Sequence, residues 1–179
     1  MRIISGIYKS RKIVAPKNLP VRPTTDMAKE SLFNIINNLF YFDDISVLDL
    51  FAGTGNISYE FASRGTEQIT CVDQDFGCIK FINETAKAFD MSIQTIKSDV
   101  FKFLEKSTLQ TNIIFADPPY DFSDEQFAKI SQLVFQNNLL LENGILIIEH
   151  SKHTNLSGLN HFSYSKSYGG CMFSFFEVD

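Results

Sequence analysis

From residue 46 onward the chain alternates short apolar runs with stretches of helical spacing, and nothing else constrains its fold as strongly. Segments 47–51, 69–73, 93–96, 112–116 and 144–149 read as strands bounded by turn residues. Helical spacing is predicted after the glycine turn through about 65, over 76–89 with Ile79, Ile82 and Ala86 apolar, in a short piece from 101, and over about 124–136. Such a βαβα series implies a mostly parallel sheet covered by helices. Apolar and aromatic residues at 162, 164 and 168 and again over 171–178, around Gly169-Gly170, predict a terminal hairpin on that sheet's edge. Before the series, Ala28, Leu32, Ile35, Ile36 and Leu39 form a helical stripe that Thr25 or Asp26 can cap. Residues 1–23, with turn residues at Ser5-Gly6 and Pro16-Lys17-Asn18, suggest a short hairpin. At 179 residues the whole is expected to form one domain with a sizeable core.

Chemistry in open α/β sheets gathers at the C-terminal ends of the strands. The fourth strand of the series ends in Asp117-Pro118-Pro119-Tyr120. Two prolines remove two N–H donors and fix φ, leaving stiff carbonyls beside a carboxylate and an aromatic ring. That set suits a planar group carrying an NH₂, such as the exocyclic amine of a nucleobase. Asp and Pro are also ordinary turn formers, so the tetrapeptide alone is equally a strand-ending turn.

The first strand runs into Asp49-Leu50-Phe51-Ala52-Gly53-Thr54-Gly55. Glycines there permit close backbone approach to a ligand at the start of the following helix. Ser58 occupies the third position of what would be a dinucleotide fingerprint, and Asp49 is awkward beside a pyrophosphate, which disfavours a nicotinamide dehydrogenase. A cationic ligand fits the acid better, and S-adenosylmethionine offers both an ammonium and a sulfonium. Asp73, at the second strand's end, is placed to accept ribose hydroxyls, or to serve as a turn aspartate with Asp75 in its stead. Asp99, after the third strand, is placed for an adenine amine or for capping the next helix, two compatible roles.

Formal net charge is −5, yet the first thirty residues carry seven Lys and Arg against Asp26 and Glu30. A basic segment on an acidic body is the asymmetry of a phosphate-binding arm. Three scattered cysteines without CxxC spacing indicate reduced thiols in a cytosolic protein, with Cys71 a buried small hydrophobe. The N-terminus lacks a signal-peptide pattern and no run is long enough to span a membrane, so a soluble cytoplasmic protein is expected. His150 and His153 have metal-like spacing but no third ligand, and are read as surface or loop histidines; no metal is expected.

Taken together, the glycine turn, the acids on successive strand ends and the Asp-Pro-Pro-Tyr loop resemble the class I, Rossmann-like methyltransferases, and among them the amino-methylating group marked by (Asp/Asn)-Pro-Pro-(Tyr/Phe/Trp). Arg2-Ile3-Ile4-Ser5-Gly6, Tyr8–Ile13, Arg22-Pro23-Thr24-Thr25-Asp26, Glu30–Asn34 and the closing Tyr168-Gly169 are similar to the RsmD family of bacterial small-subunit (16S) ribosomal RNA guanine-N2 methyltransferases. The likeness covers essentially the whole chain. Ser10 stands where that family often has Gly, Lys29 where Arg is usual, and Cys171 where Thr is common; the first two weaken exact phosphate-contact assignments.

The resemblance implies a seven-stranded class I fold, S-adenosylmethionine as methyl donor, and 16S rRNA, within a small-subunit particle, as partner of a monomeric enzyme. It places Asp117, Pro118, Pro119 and Tyr120 at the chemistry, with Tyr120 stacking on an extruded base. Asp49, Phe51, Gly53, Gly55, Asp73 and Asp99 fall to the cofactor. Arg2, Lys9, Arg11, Lys12 and Arg22 fall to RNA phosphates, with Thr24 and Thr25 bonding substrate or cofactor unless they cap the helix. Rival readings are a DNA adenine-N6 or protein-glutamine methyltransferase, or a catalytically silent RNA-binding assembly protein on the same fold.

Overall fold

The computed structural model describes residues 1–16, 19 and 24–178. Its seven strands lie in one sheet in the order β3-β2-β1-β4-β5-β7-β6. In chain order the strands are β1 Ser46–Leu50, β2 Gln68–Asp73, β3 Ile93–Lys97, β4 Thr111–Ala116, β5 Leu140–Ser151, β6 Phe162–Tyr168 and β7 Cys171–Glu177. The first five are parallel, and β7 runs antiparallel to both β5 and β6. The fold is the Rossmann-like class I architecture, with its strand order reversing between β1 and β4. That switch point opens a crevice beyond the strands' C-terminal ends.

Among the described residues five helices cover the sheet: α1 Asp26–Leu39, α2 Asn56–Ser63, α3 Phe76–Ala88, α4 Val100–Lys106 and α5 Asp124–Gln136. Alternation along each strand feeds two cores. Val47, Ile113, Phe115, Ile147 and Phe173 pack toward α1, α2 and α3, whereas Leu48, Leu50, Ile114, Leu146 and Ile148 pack toward α4 and α5. Short polar side chains start four helices. Thr25 caps α1 through Ala28 N–H at 3.2 Å, Asp75 caps α3, Asp99 caps α4, and Ser123 with Gln126 forms a capping box on α5. No helix among the described residues is long and apolar enough to cross a membrane.

Strand β5 is longer than its sequence pattern predicts, beginning at Leu140 and ending at Ser151. A register shift between Thr111 and Ile113 accommodates the polar Glu142-Asn143 segment, which periodicity reads as a break. His150 is a second departure. It is not a surface residue: it sits buried in β5, with Nε2 2.7 Å from Ser174 Oγ and Nδ1 2.9 Å from the Ser151 carbonyl. The partner that makes this burial tolerable comes from β7, far away in sequence. His153, by contrast, is exposed.

The basic N-terminal segment folds back as a hairpin held by one antiparallel bridge, Arg2 to Lys12, with Ile3 N–H bonded to the Arg11 carbonyl and Ile13 N–H to that of Met1. Residues 17, 18 and 20–23 of the expected hairpin, Arg22 among them, lie outside the described residues. Ile3 and Ile13 drop into the α1–α3 core while Arg2, Lys9, Arg11 and Lys12 stay exposed. Ser10, at φ 67, occupies the left-handed region that favours glycine.

Backbone contacts lock the arm onto the end of α2. Ile7 N–H donates to the Ser63 carbonyl at 2.7 Å, and Tyr8 N–H to Ser63 Oγ at 3.0 Å. Gly6 makes this possible: at φ +86, a Cβ there would lie 1.8 Å from the Ser63 carbonyl oxygen. Gly6→Ala is therefore expected to undock the arm and lower stability by about 2 kcal/mol or more, read from urea unfolding. An unchanged midpoint would show that this docking does not matter.

Candidate active site

One cavity of about 940 Å³ opens at the switch point. It is lined at one end by the β1–α2 turn, Asp73 and Asp99, and at the other by Asp117–Tyr120, Glu149 and Tyr168. A volume of that order accommodates a nucleoside-sized ligand together with a second planar group.

The cofactor end is built around Asp73. Its Oδ2 accepts Gly53 N–H at 2.8 Å and its Oδ1 accepts Asp75 N–H at 2.8 Å, so the β2 terminus pins the glycine turn. A carboxylate has about four acceptor sites, so these bonds are compatible with ribose hydroxyls as further donors. Phe51, Gly53 and Gly55 all have positive φ, at 57°, 54° and 78°. The strain at non-glycine Phe51 turns the chain sharply away from β1 and sends its ring edge-on to Phe122 at 5.6 Å. Gly55 must stay small, because a Cβ would lie 2.9 Å from the Tyr59 ring. Asp99 caps α4 through Lys102 N–H at 3.0 Å and lines the cavity, so its two predicted roles coexist in position. Near it Phe101 and Phe122 stack at 5.9 Å and line the cavity, an apolar wall against which a purine can pack.

Asp49 lies deeper, only 2 % exposed, with Ser58 Oγ donating to it at 2.6 Å. Ser58, which breaks the dinucleotide fingerprint, thus serves the acid instead. Burial pushes the Asp49 carboxyl up to about 7, the nearby Asp73 charge adding to the effect and the Ser58 bond opposing it. A cation entering the cavity would stabilise the ionised form, so the site fits a donor carrying an ammonium.

Two consequences follow for pH. The folded-state value lies above the ordinary 3.8, so the native state holds more protons between those limits, and this group's contribution to stability falls as pH rises from about 4 to about 7. A cationic ligand must displace that proton, so S-adenosylmethionine affinity is expected to rise by about tenfold from pH 6 to pH 8 and then level off. Calorimetry across that range would check this; flat affinity, or no proton release at pH 6, would remove Asp49 from the cofactor's surroundings.

At the other end, β4 and β5 deliver two acids side by side. Ala116 pairs with Ile148, so Asp117 and Glu149 leave neighbouring strands about 4.8 Å apart in the hydrogen-bonding direction. Asp117 N–H bonds the Leu50 carbonyl at 3.3 Å, tying the Pro-Pro loop to β1. Glu149 is buried, with Oε2 3.3 Å from Thr24 Oγ1 and Oε1 3.5 Å from the Tyr120 hydroxyl. The Cys171 thiol is pushed up to about 12, first by burial and then by the negative charge of Glu149, with Asp117 adding to it. Thr24 and Thr25 line the same cavity, Thr25 also capping α1.

Sequence reasoning missed Glu149, although its signal was present: an acid closing the apolar run Ile145-Leu146-Ile147-Ile148, the same signature that marked Asp73 and Asp117. It also missed Lys29. That side chain is fully buried, its Nζ bonded to the Arg2 carbonyl at 2.6 Å and Asn56 Oδ1 at 2.9 Å, and 3.3 Å from Glu60 Oε2. Lys29 therefore anchors the arm and contacts no phosphate. Among the described residues, no group of three His, Cys, Asp or Glu could hold a metal ion.

Comparison with known proteins places this arrangement. Residues 1–177 match the sequence family described as Conserved hypothetical protein 95. The "Ribosomal RNA small subunit methyltransferase D" of Haemophilus influenzae is 30% identical over 157 residues, spanning 85% of this chain and 79% of that one. The chain belongs to this RsmD family. The "Putative rRNA methyltransferase YlbH" of Bacillus subtilis is 35% identical over 161 residues that span 87% of this chain and 85% of that one. Among solved structures, yhhF of Escherichia coli superposes with a TM-score of 0.86 at 26% identity, covering 99% of this chain and 97% of that one. The two chains share one fold along almost their whole length.

Proposed function

We propose that the protein transfers a methyl group from S-adenosylmethionine to the exocyclic N2 amine of a guanine in small-subunit ribosomal RNA. The observation that carries this reading is the sharing of one cavity by the Asp73-pinned glycine turn and the Asp117-Pro118-Pro119-Tyr120 loop. Family membership supports the class of reaction, since relatives in the RsmD family are named as small-subunit rRNA methyltransferases. Asp73 would hold the ribose, Asp49 the ammonium and the Phe101–Phe122 wall the adenine, with Asp99 at its edge. When bound, S-adenosylmethionine supplies an electrophilic methyl on sulfonium sulfur and is left as the neutral thioether.

The chain's own residues must make a poor nucleophile competent, because the lone pair of an aryl-like amine is delocalised into its ring. The Asp117 carboxylate and the Pro118 carbonyl are acceptors for the two N2–H bonds, which lets the nitrogen pyramidalise. As the N–C bond forms and the C–S bond breaks, positive charge grows on N2 beside the Asp117 carboxylate. The surplus N2 proton then leaves to that carboxylate and on to water. Tyr120 would stack on the unstacked base. Placing amine and methyl carbon in line at about 3–3.5 Å accounts for much of the acceleration. Arg2, Lys9, Arg11 and Lys12, all exposed on one docked arm, supply phosphate contacts, and Arg22 is proposed to join them.

The test is incubation with labelled S-adenosylmethionine and, in parallel, naked 16S rRNA, 30S particles from a strain lacking the enzyme, and DNA, followed by mapping of the modified base. Label on guanine N2 of the RNA is expected. Label on adenine or protein would overturn the substrate assignment, and no label anywhere would leave a silent RNA-binding protein.

A further inference from the structure

The catalytic reading above uses Asp117 and leaves the second acid of the same cavity unused. Glu149 is 3 % exposed, yet it lines the cavity, and its strand neighbour in the sheet ends at Asp117. The Thr24 and Tyr120 hydroxyls approach its two oxygens, one from the start of α1 and one from the Pro-Pro loop. These contacts orient the carboxylate within the cavity wall.

Guanine's Watson–Crick edge presents N1–H beside N2–H₂, a row of donors, whereas adenine presents a bare N1 acceptor beside its amine. A base whose amine reaches Asp117, just beyond β4, and whose N1 side faces β5 brings its N1–H toward Glu149. We propose that Glu149 determines acceptor specificity, its carboxylate accepting N1–H of guanine while Asp117 and Pro118 hold the N2 amine. Adenine offered to the same pair would set its N1 lone pair against a buried carboxylate and be rejected. The inference deepens the proposed activity and rests on it.

2-Aminopurine separates the two roles, because it keeps the N2 amine and lacks N1–H. The target guanine, once mapped, is replaced by 2-aminopurine in 16S rRNA assembled into 30S particles, and kcat/KM is measured for both particles. Wild-type protein should favour guanine by about 10²-fold or more. Loss of O6 also contributes to that ratio, so the decisive quantity is how the ratio changes when Glu149 is removed. Glu149→Ala should bring it to within about tenfold of unity, chiefly by slowing methylation of guanine, with S-adenosylmethionine affinity unchanged. Should the alanine variant fail to fold, Glu149→Met, equally long and without an acceptor, takes its place.

A residue that merely braces Thr24 and Tyr120 would slow both particles alike. A ratio left at its wild-type value in either variant would therefore overturn the proposal, as would a wild-type enzyme indifferent to 2-aminopurine. Wild-type protein that methylates no guanine at all would instead overturn the activity itself, a distinguishable failure.

Discussion

Asp117→Ala is expected to lower kcat by about 10³-fold, some 4 kcal/mol of transition-state stabilisation, while the affinity for S-adenosylmethionine stays within a factor of about three. The split follows from position. Asp117 lies beyond the end of β4, beside Glu149 and across the cavity from the Asp73-pinned turn. Its proposed work begins only when charge develops on the amine, so the loss belongs to kcat rather than to cofactor binding. Asp117→Asn divides that work further, because the amide oxygen still accepts a hydrogen bond but carries no charge. A rate between those of wild type and alanine is expected from single-turnover assays. Normal transfer by the alanine variant would remove Asp117 from the chemistry.

The second large effect concerns stability. Glu60 is fully buried and serves four partners: Lys29 at 3.3 Å, Arg64 at 3.0 Å, and the N–H groups of Ile4 and Ser5 at 2.8 and 2.9 Å. Glu60→Ala would strand a buried ammonium and two backbone donors at once. Breaking one side of such a pair costs about 3–5 kcal/mol, a large share of the 5–15 kcal/mol that typically holds a domain together. A fall in Tm of roughly 10 °C should appear in calorimetry.

The deficit should also shrink in alkali. Burial already lowers the Lys29 value below that of a free lysine, Glu60 being the main opposing influence. Without Glu60 it drops further, so the unfolded chain holds more protons across the intervening range and stability rises with pH there. A variant within about 1 kcal/mol of wild type, or one whose deficit ignores pH, would show that the network is incidental.

The residues that were legible in the sequence share a local grammar. An apolar run followed by an acid, a glycine or a proline announces both the strand and what its end presents, as at Asp73 and Asp117, while Asp49 is marked by the glycine turn that follows it and Asp99 by the helix it opens. Helix starts were readable for the same reason, since Thr25 and Asp99 act within three residues of themselves. Lys29 and His150 were not readable. A lysine in an amphipathic helix defaults to the solvent face, and only Glu60, Asn56 and the Arg2 carbonyl, brought in from elsewhere, make its burial tolerable. His150 depends in the same way on Ser174 across the β5–β7 ladder. Burial of a polar group is a property of its partners, and local sequence does not name them.

The basic arm is fastened by its main chain, through Ile4, Ser5, Ile7 and Tyr8, by two isoleucines beneath it, and by Arg2, which pairs with Asp26 of α1 at 3.0 Å, whereas the Arg11 and Lys12 side chains point to solvent. Its shape and its charge pattern are therefore separable traits. Arg11 or Lys12 can drift, relocate or vanish over evolutionary time without loosening the platform that carries them. A lineage whose ribosomal RNA changes its local contour can retune the contact surface one residue at a time, while the chemistry next door stays untouched.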